Sequence, residues 1–194
     1  MLKQFLAGFV VAVMLSGAAV AGPVEDATAA YKRGDYATAL RLLRPLAEQG
    51  DAGAQFNIGL MYKEGNGVPQ DYDEAVRWLT RAGEQGFDVA QCNLGFMYGA
   101  GEGVPEDDAK AVSWLTRAAE QGFAICQNSL GAMYANGKGV PQDFVLAHLW
   151  FNLAAAQGHE EARKNRDNVA GRMTPDQIAE AQRMAREWKP ATER

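Results

Sequence analysis

A period of 36 residues runs through the middle of this chain and leaves few folds open to it. Gly59, Gly95 and Gly131 are 36 apart, and so are Tyr62, Tyr98 and Tyr134. The loops Gly65-Asn66-Gly67-Val68-Pro69, Gly101-Glu102-Gly103-Val104-Pro105 and Gly137-Lys138-Gly139-Val140-Pro141 keep the same step. Ala75, Ala111 and Ala147 follow, then Trp78, Trp114 and Trp150, and each unit closes on Gly86, Gly122 or Gly158. Such a period marks a solenoid, whose units bury their apolar faces only against one another. It also explains the composition's one oddity. The 21 glycines in 194 residues, against a usual ~7%, recur at fixed registers.

Each unit reads as two helices. The first spans about 52–63, with Ala54, Ile58, Met61 and Tyr62 on one face. Gly65 and Gly67 stop it, since glycine accepts the left-handed conformation of a helix end. Asp71 is placed to cap the second helix, with Glu74 completing a capping box. That helix presents Ala75, Trp78, Leu79 and Ala82 together. A mid-helix glycine costs about 1 kcal/mol against alanine. Its recurrence at 59, 95 and 131 therefore implies close packing of the second helix on the first beside the Ala75 register. Trp78, Trp114 and Trp150 fill the remaining space as structural residues.

The ends depart from the period. A shortened unit at 22–50 keeps Tyr31, Gly34, Asp35, Tyr36, Ala39 and Leu43, and Pro45 predicts a kink in its second helix. Units follow at 51–86, 87–122 and 123–158. Residues 159–194 hold one more first helix, with Ala162 at the Ala54 register, and then a helix opened by Thr174-Pro175-Asp176-Gln177. Its face of Ile178, Ala181, Met184, Ala185 and Trp188 predicts a cap over the open end of the stack. Before all of this, Lys3, an apolar run over 5–15 and Ala19-Val20-Ala21 read as a secretory leader cleaved before Gly22. A periplasmic or secreted product is expected, with no membrane insertion after cleavage.

The arrangement Ala-x3-Ile/Leu-Gly-x2-Tyr, Gly-x-Gly-Val-Pro, Ala-x2-Trp and closing Gly resembles the Sel1-like repeats, relatives of tetratricopeptide repeats. The resemblance covers 51–158. The 24–50 unit is more similar to a tetratricopeptide repeat, through Gly34-Asp35-Tyr36 and Ala39-Leu40. It implies an all-α, right-handed αα superhelical solenoid of about four helix pairs plus C-terminal capping helices. It also implies an adaptor role toward other proteins. By analogy the first helices line the concave face. That register places Phe56, Leu60, Lys63, Val89, Cys92, Phe96, Ile125, Asn128 and Ala132 there as candidate protein-binding residues. The face is unusually apolar for one expected to be exposed.

Catalytic chemistry finds little footing. His148 and His159, the two histidines, read as helix-surface and helix-end residues. The Gly-x-Gly loops fail as phosphate cradles, because Gly139 stands where Ser or Thr is needed after Lys138 and no strand precedes them. Some cysteine-rich members of the resembling family are linked to β-lactam binding or hydrolysis. This chain has two cysteines in all and lacks a Ser-x-x-Lys motif. No enzyme activity, cofactor or metal is expected. The alternatives are a β-lactam-directed enzyme and a secreted effector that meets a host protein. Cys92 and Cys126 fall on first helices of adjacent units. Packed helices lie about 8–10 Å apart, whereas a disulfide needs Cα atoms within about 7 Å, so a bridge and a pair of packed thiols both remain open. Residues 22–159 carry 10 Lys/Arg and 17 Asp/Glu. An acidic body disfavours nucleic acid and anionic lipid. A protein partner with basic character is expected, and a monomer.

Overall fold

The computed structural model describes residues 22–191. The expected leader at 1–21 lies outside the described residues. Within them the chain forms ten helices and no strand. They are α1 (Pro23–Lys32), α2 (Tyr36–Glu48), α3 (Ala52–Glu64), α4 (Tyr72–Glu84), α5 (Asp88–Ala100), α6 (Asp108–Glu120), α7 (Ala124–Asn136), α8 (Phe144–Ala156), α9 (Glu160–Ala170) and α10 (Pro175–Glu187). Within α1–α9 each helix packs on the next in the chain, which is the connectivity of an αα solenoid.

Local chemistry sets the ends. Asp51, Asp71, Asp107 and Asp143 each accept a backbone N–H in the first turn of the helix they cap. The capping box expected at α4 is half made. Asp71 accepts from Glu74 N at 3.0 Å, but the Glu74 carboxylate turns to Arg77 at 2.6 Å instead. Gly65, Gly101 and Gly137 end α3, α5 and α7 in the left-handed conformation. The second loop glycine has a separate job. Gly67 has φ +76° and lies against Tyr36 at the start of α2, so a Cβ there would stand 2.6 Å from Tyr36 Cβ. Each loop thus seats on the preceding unit. α2 continues through Pro45 to Glu48.

The mid-helix glycines sit where the helices of a pair touch. A methyl on Gly95 would be 2.6 Å from Leu115 Cγ and 3.3 Å from the Ala111 carbonyl oxygen. Gly59 meets Leu79 in the same way, and Gly131 meets Phe151. The tryptophans bridge successive even-numbered helices, as Trp114 does by lying 3.2 Å from the Cβ position of Gly83. Arg81 stacks over Trp78 and Arg117 over Trp114, each 4.6 Å from the ring centroid.

The C-terminal helix is not where the sequence placed it. The Thr174–Gln177 capping box forms as expected. Yet α10 packs on α8 rather than over the open end of the stack. The reason lies in α8. Where α4 carries Glu74, Arg77 and Arg81, α8 carries Leu146, Leu149 and Leu153 at the same registers. Those leucines join Trp150 in a core against which Met184, Ala185 and Trp188 pack. The open end is left to α9, whose outer residues Glu160, Arg163, Lys164 and Asp167 are exposed and charged.

Candidate functional site

The odd-numbered helices carry the residues expected to meet a partner, and the structure divides that set. Phe56, Val89 and Cys92 are buried, which corrects their placement on an open face. Packing between successive units encloses these three positions. The Phe56 ring lies 5.2 Å from that of Phe87, inside a core shared with Val89. Cys92 is joined by a disulfide to Cys126, with Cα atoms 5.9 Å apart. That separation agrees with ordinary helix packing, because facing Cα atoms lie closer together than the helix axes do. Leu60 and Phe96 are half-buried against the same cores. Lys63 reaches Glu102 of the next unit's loop at 3.6 Å. Ile125 is 39% exposed and stands out as an exposed large apolar residue. Asn128 accepts a hydrogen bond from Asn165 Nδ2 at 3.1 Å.

Ala132 opens onto a recess of about 210 Å³ between α7 and α9. Its apolar walls are Ala132, Ala135, Phe151 and Val169. Asn136, Asn165 and Asn168 supply carboxamides, and Arg172 is its one charged residue. The Arg172 guanidinium lies 4.3 Å above the Phe144 ring, which holds it in place while leaving its edge N–H groups able to donate. The α9 members of this set were not anticipated. Asn168 sits at the register of Ala132, one period further on, and extending the repeat comparison would have found it. Asn165, Val169 and Arg172 fall at the registers of Ser129, Met133 and Asn136, which were not among the candidates.

A second set also escaped notice. Gln55, Gln91 and Gln127 are buried, 36 residues apart. Each donates to the end of the preceding even helix, at Ala47, Gly83 and Ala119 carbonyls respectively (3.0, 2.9 and 3.1 Å). Each accepts in turn from Gln85, Gln121 or Gln157 at 2.7–2.8 Å. This glutamine ladder ties three helices together in every unit.

His159 caps α9, its Nδ1 accepting from Ala162 N at 3.2 Å. His148 is buried rather than on the helix surface, because it occupies the register of Val76 and Val112 and faces α9. Burial, and then the nearby Arg166 charge, hold its pKa below the ordinary 6.5. Tyr31 donates to Glu64 at 2.7 Å, and burial followed by that carboxylate pushes its hydroxyl above its ordinary range. Among the described residues no group of three or more His, Cys, Asp or Glu could hold a metal ion. No helix among them is long and apolar enough to cross a membrane.

The Sel1 repeat family model matches residues 29–51, 52–87, 88–123 and 124–159. The chain belongs to the Sel1 repeat family. A Sel1 repeat protein of Oxalobacter formigenes with a solved structure is 46% identical, over 65% of this chain and 95% of that one, with a TM-score of 0.61. The structure of c5321, a protective antigen of uropathogenic Escherichia coli with an SLR fold, is 31% identical. It aligns over 87% of this chain and 39% of that one, with a TM-score of 0.75. No curated protein matches the chain. Sel1 repeat proteins generally mediate protein–protein interaction and serve as scaffolds without catalysis.

Proposed function

We propose that this Sel1 repeat protein is a non-catalytic scaffold of a bacterial cell envelope that holds a partner protein on its odd-helix face. One observation carries the reading. The scaffold registers repeat faithfully, while that face departs from repetition and offers an exposed Ile125 at the start of α7 and the α7–α9 recess further along it. A concave recess with apolar walls and a few convergent polar groups is the usual form of a binding site, and the exposed isoleucine adds apolar surface to the same helix. The Cys92–Cys126 disulfide and the leader-like residues 1–21 support an oxidising compartment. Regulation of an envelope complex or of a membrane sensor would both use such a surface.

The test is cross-linking in the cell with the tagged chain as bait, beside an Ile125→Glu variant. Ile125 is exposed, so the variant keeps its fold, which circular dichroism checks. The expected outcome is an envelope protein captured by the parent and lost by the variant. Identical capture by both baits would move the partner off this face. Fractionation accompanies it. The scaffold reading expects the protein in the periplasmic fraction, and recovery mainly from culture supernatant would favour a secreted effector.

A further inference from the structure

We infer that the recess between α7 and α9 is a pocket for the C-terminal residue of a partner chain: its last side chain enters the apolar well and its α-carboxylate meets Arg172. The inference rests on the protein-binding reading and names the partner's chemistry.

The repeat supplies its own control. One period earlier, Phe96 and Met133 stand at the registers of Ala132 and Val169, and both pack into the core there. Between α7 and α9 the two large side chains are replaced by smaller ones, and a well opens onto Phe151. The rim changes along with the well. The register that is Glu64 in α3 and Ala100 in α5 becomes Asn136 in α7 and Arg172 after α9. In an acidic body, the recess is thus lined by one cation and no anion.

Size and chemistry narrow the occupant. At about 210 Å³ the recess is smaller than the ~300–1,000 Å³ usual for small-molecule sites. It is larger than the roughly 150 Å³ cavity that admits benzene, so it suits one aliphatic or aromatic side chain. The guanidinium pairs best with a planar carboxylate, through two parallel N–H donors. The apolar well and the cation share one recess. The ligand must therefore carry an apolar side chain and a carboxylate close together, and the last residue of a protein chain has both on one Cα. An internal Asp or Glu carries its carboxylate on its own side chain and so has no apolar side chain on the same Cα to fill the well. Asn136 Nδ2 is spent on the Ala132 carbonyl at 2.7 Å, which leaves its oxygen to accept a peptide N–H. The Asn168 carboxamide offers both a donor and an acceptor to an extended backbone.

The probe is a pool of fluorescein-labelled hexapeptides, randomised except for a C-terminal Leu, read by anisotropy against the mature chain. The same pool is made with an amidated C-terminus, and a third carries an internal Glu with an amidated end. The expected result is at least tenfold weaker binding of both amidated pools than of the free acid. Ala132→Phe, which copies the α5 residue of the same register, should abolish the preference. Arg172→Ala should abolish it too, and Arg172→Lys should keep part of it. Equal binding of acid and amide, or equal binding of the internal-Glu pool, overturns the inference. So does an unaltered preference in a folded Ala132→Phe or Arg172→Ala protein. Peptide pools that fail while in-cell cross-linking still captures an envelope partner sink the pocket and leave the scaffold reading standing. Absence of both sinks the two together.

Discussion

At the residue scale the fold depends on side chains that hydrogen-bond out of sight. Gln91 is 4% exposed and satisfies the Gly83 carbonyl while accepting from Gln121. An unmet buried acceptor costs about 1–3 kcal/mol. Gln91→Leu should therefore lower the urea midpoint by that stability with an unchanged m-value. A midpoint within error of the parent would show the ladder to be incidental. His148 makes a different prediction. Its Nδ1 is buried without a hydrogen-bond partner among the described residues, and its pKa lies below 6.5 through burial and then Arg166, partly offset by Asp167. The unfolded chain then binds the proton more readily than the folded one. Stability is full above pH 6.5 and falls as pH drops from there toward the lowered folded value. His148→Val restores the valine of two earlier units and should flatten this acid-side loss, as melting temperatures between pH 7.5 and 5 would report. An unchanged pH slope would count against it.

At the element scale, much was legible because each helix obeys a local rule that repetition makes visible. Mid-helix Gly95 announced a close approach, and its missing Cβ would indeed have fallen 2.6 Å from Leu115. Thr174 and Gln177 announced a helix start. What could not be read from one helix is which neighbour encloses it. Phe56 and Val89 look exposed on a helical wheel, yet packing between successive units buries them. The seat of α10 was written in another element, where Leu146, Leu149 and Leu153 replace the charged residues of α4. Leu149→Arg returns the residue that α4 carries at that register. It places a charge where α10 lands, so α10 should detach while the stack persists, since weakly held terminal elements open first. Hydrogen exchange should quicken across 175–187 and stay slow in α3–α6. Continued protection of α10 would contradict the assignment.

At the scale of the whole molecule, a solenoid is held by nearest-neighbour interfaces, so a weak interface divides it. The disulfide crosses one such interface, joining α5 to α7 across 34 residues of chain. A cross-link of this span removes loop-closure freedom from the unfolded chain, an effect of typically 2–4 kcal/mol. Both sulfurs are buried, so a reductant reaches them only when α5 and α7 part locally. Cys126→Ala separates the bond from its packing, because alanine already stands at this register in α3 and α5 as Ala54 and Ala90. The oxidised parent should exceed Cys126→Ala in stability by about 2–4 kcal/mol. Dithiothreitol under partly denaturing conditions should bring the parent down to the variant and leave the variant unmoved. Identical melting of the oxidised parent and the variant would assign the bond no part in stability. The expected gap has a consequence for the recess, whose α7 wall carries Cys126 and Ala132 on the same helix. A stack whose α5–α7 interface opens easily would hold that wall less firmly. Reduction should therefore weaken the partner contact as well as the fold, and capture from reduced and oxidised protein would show whether it does.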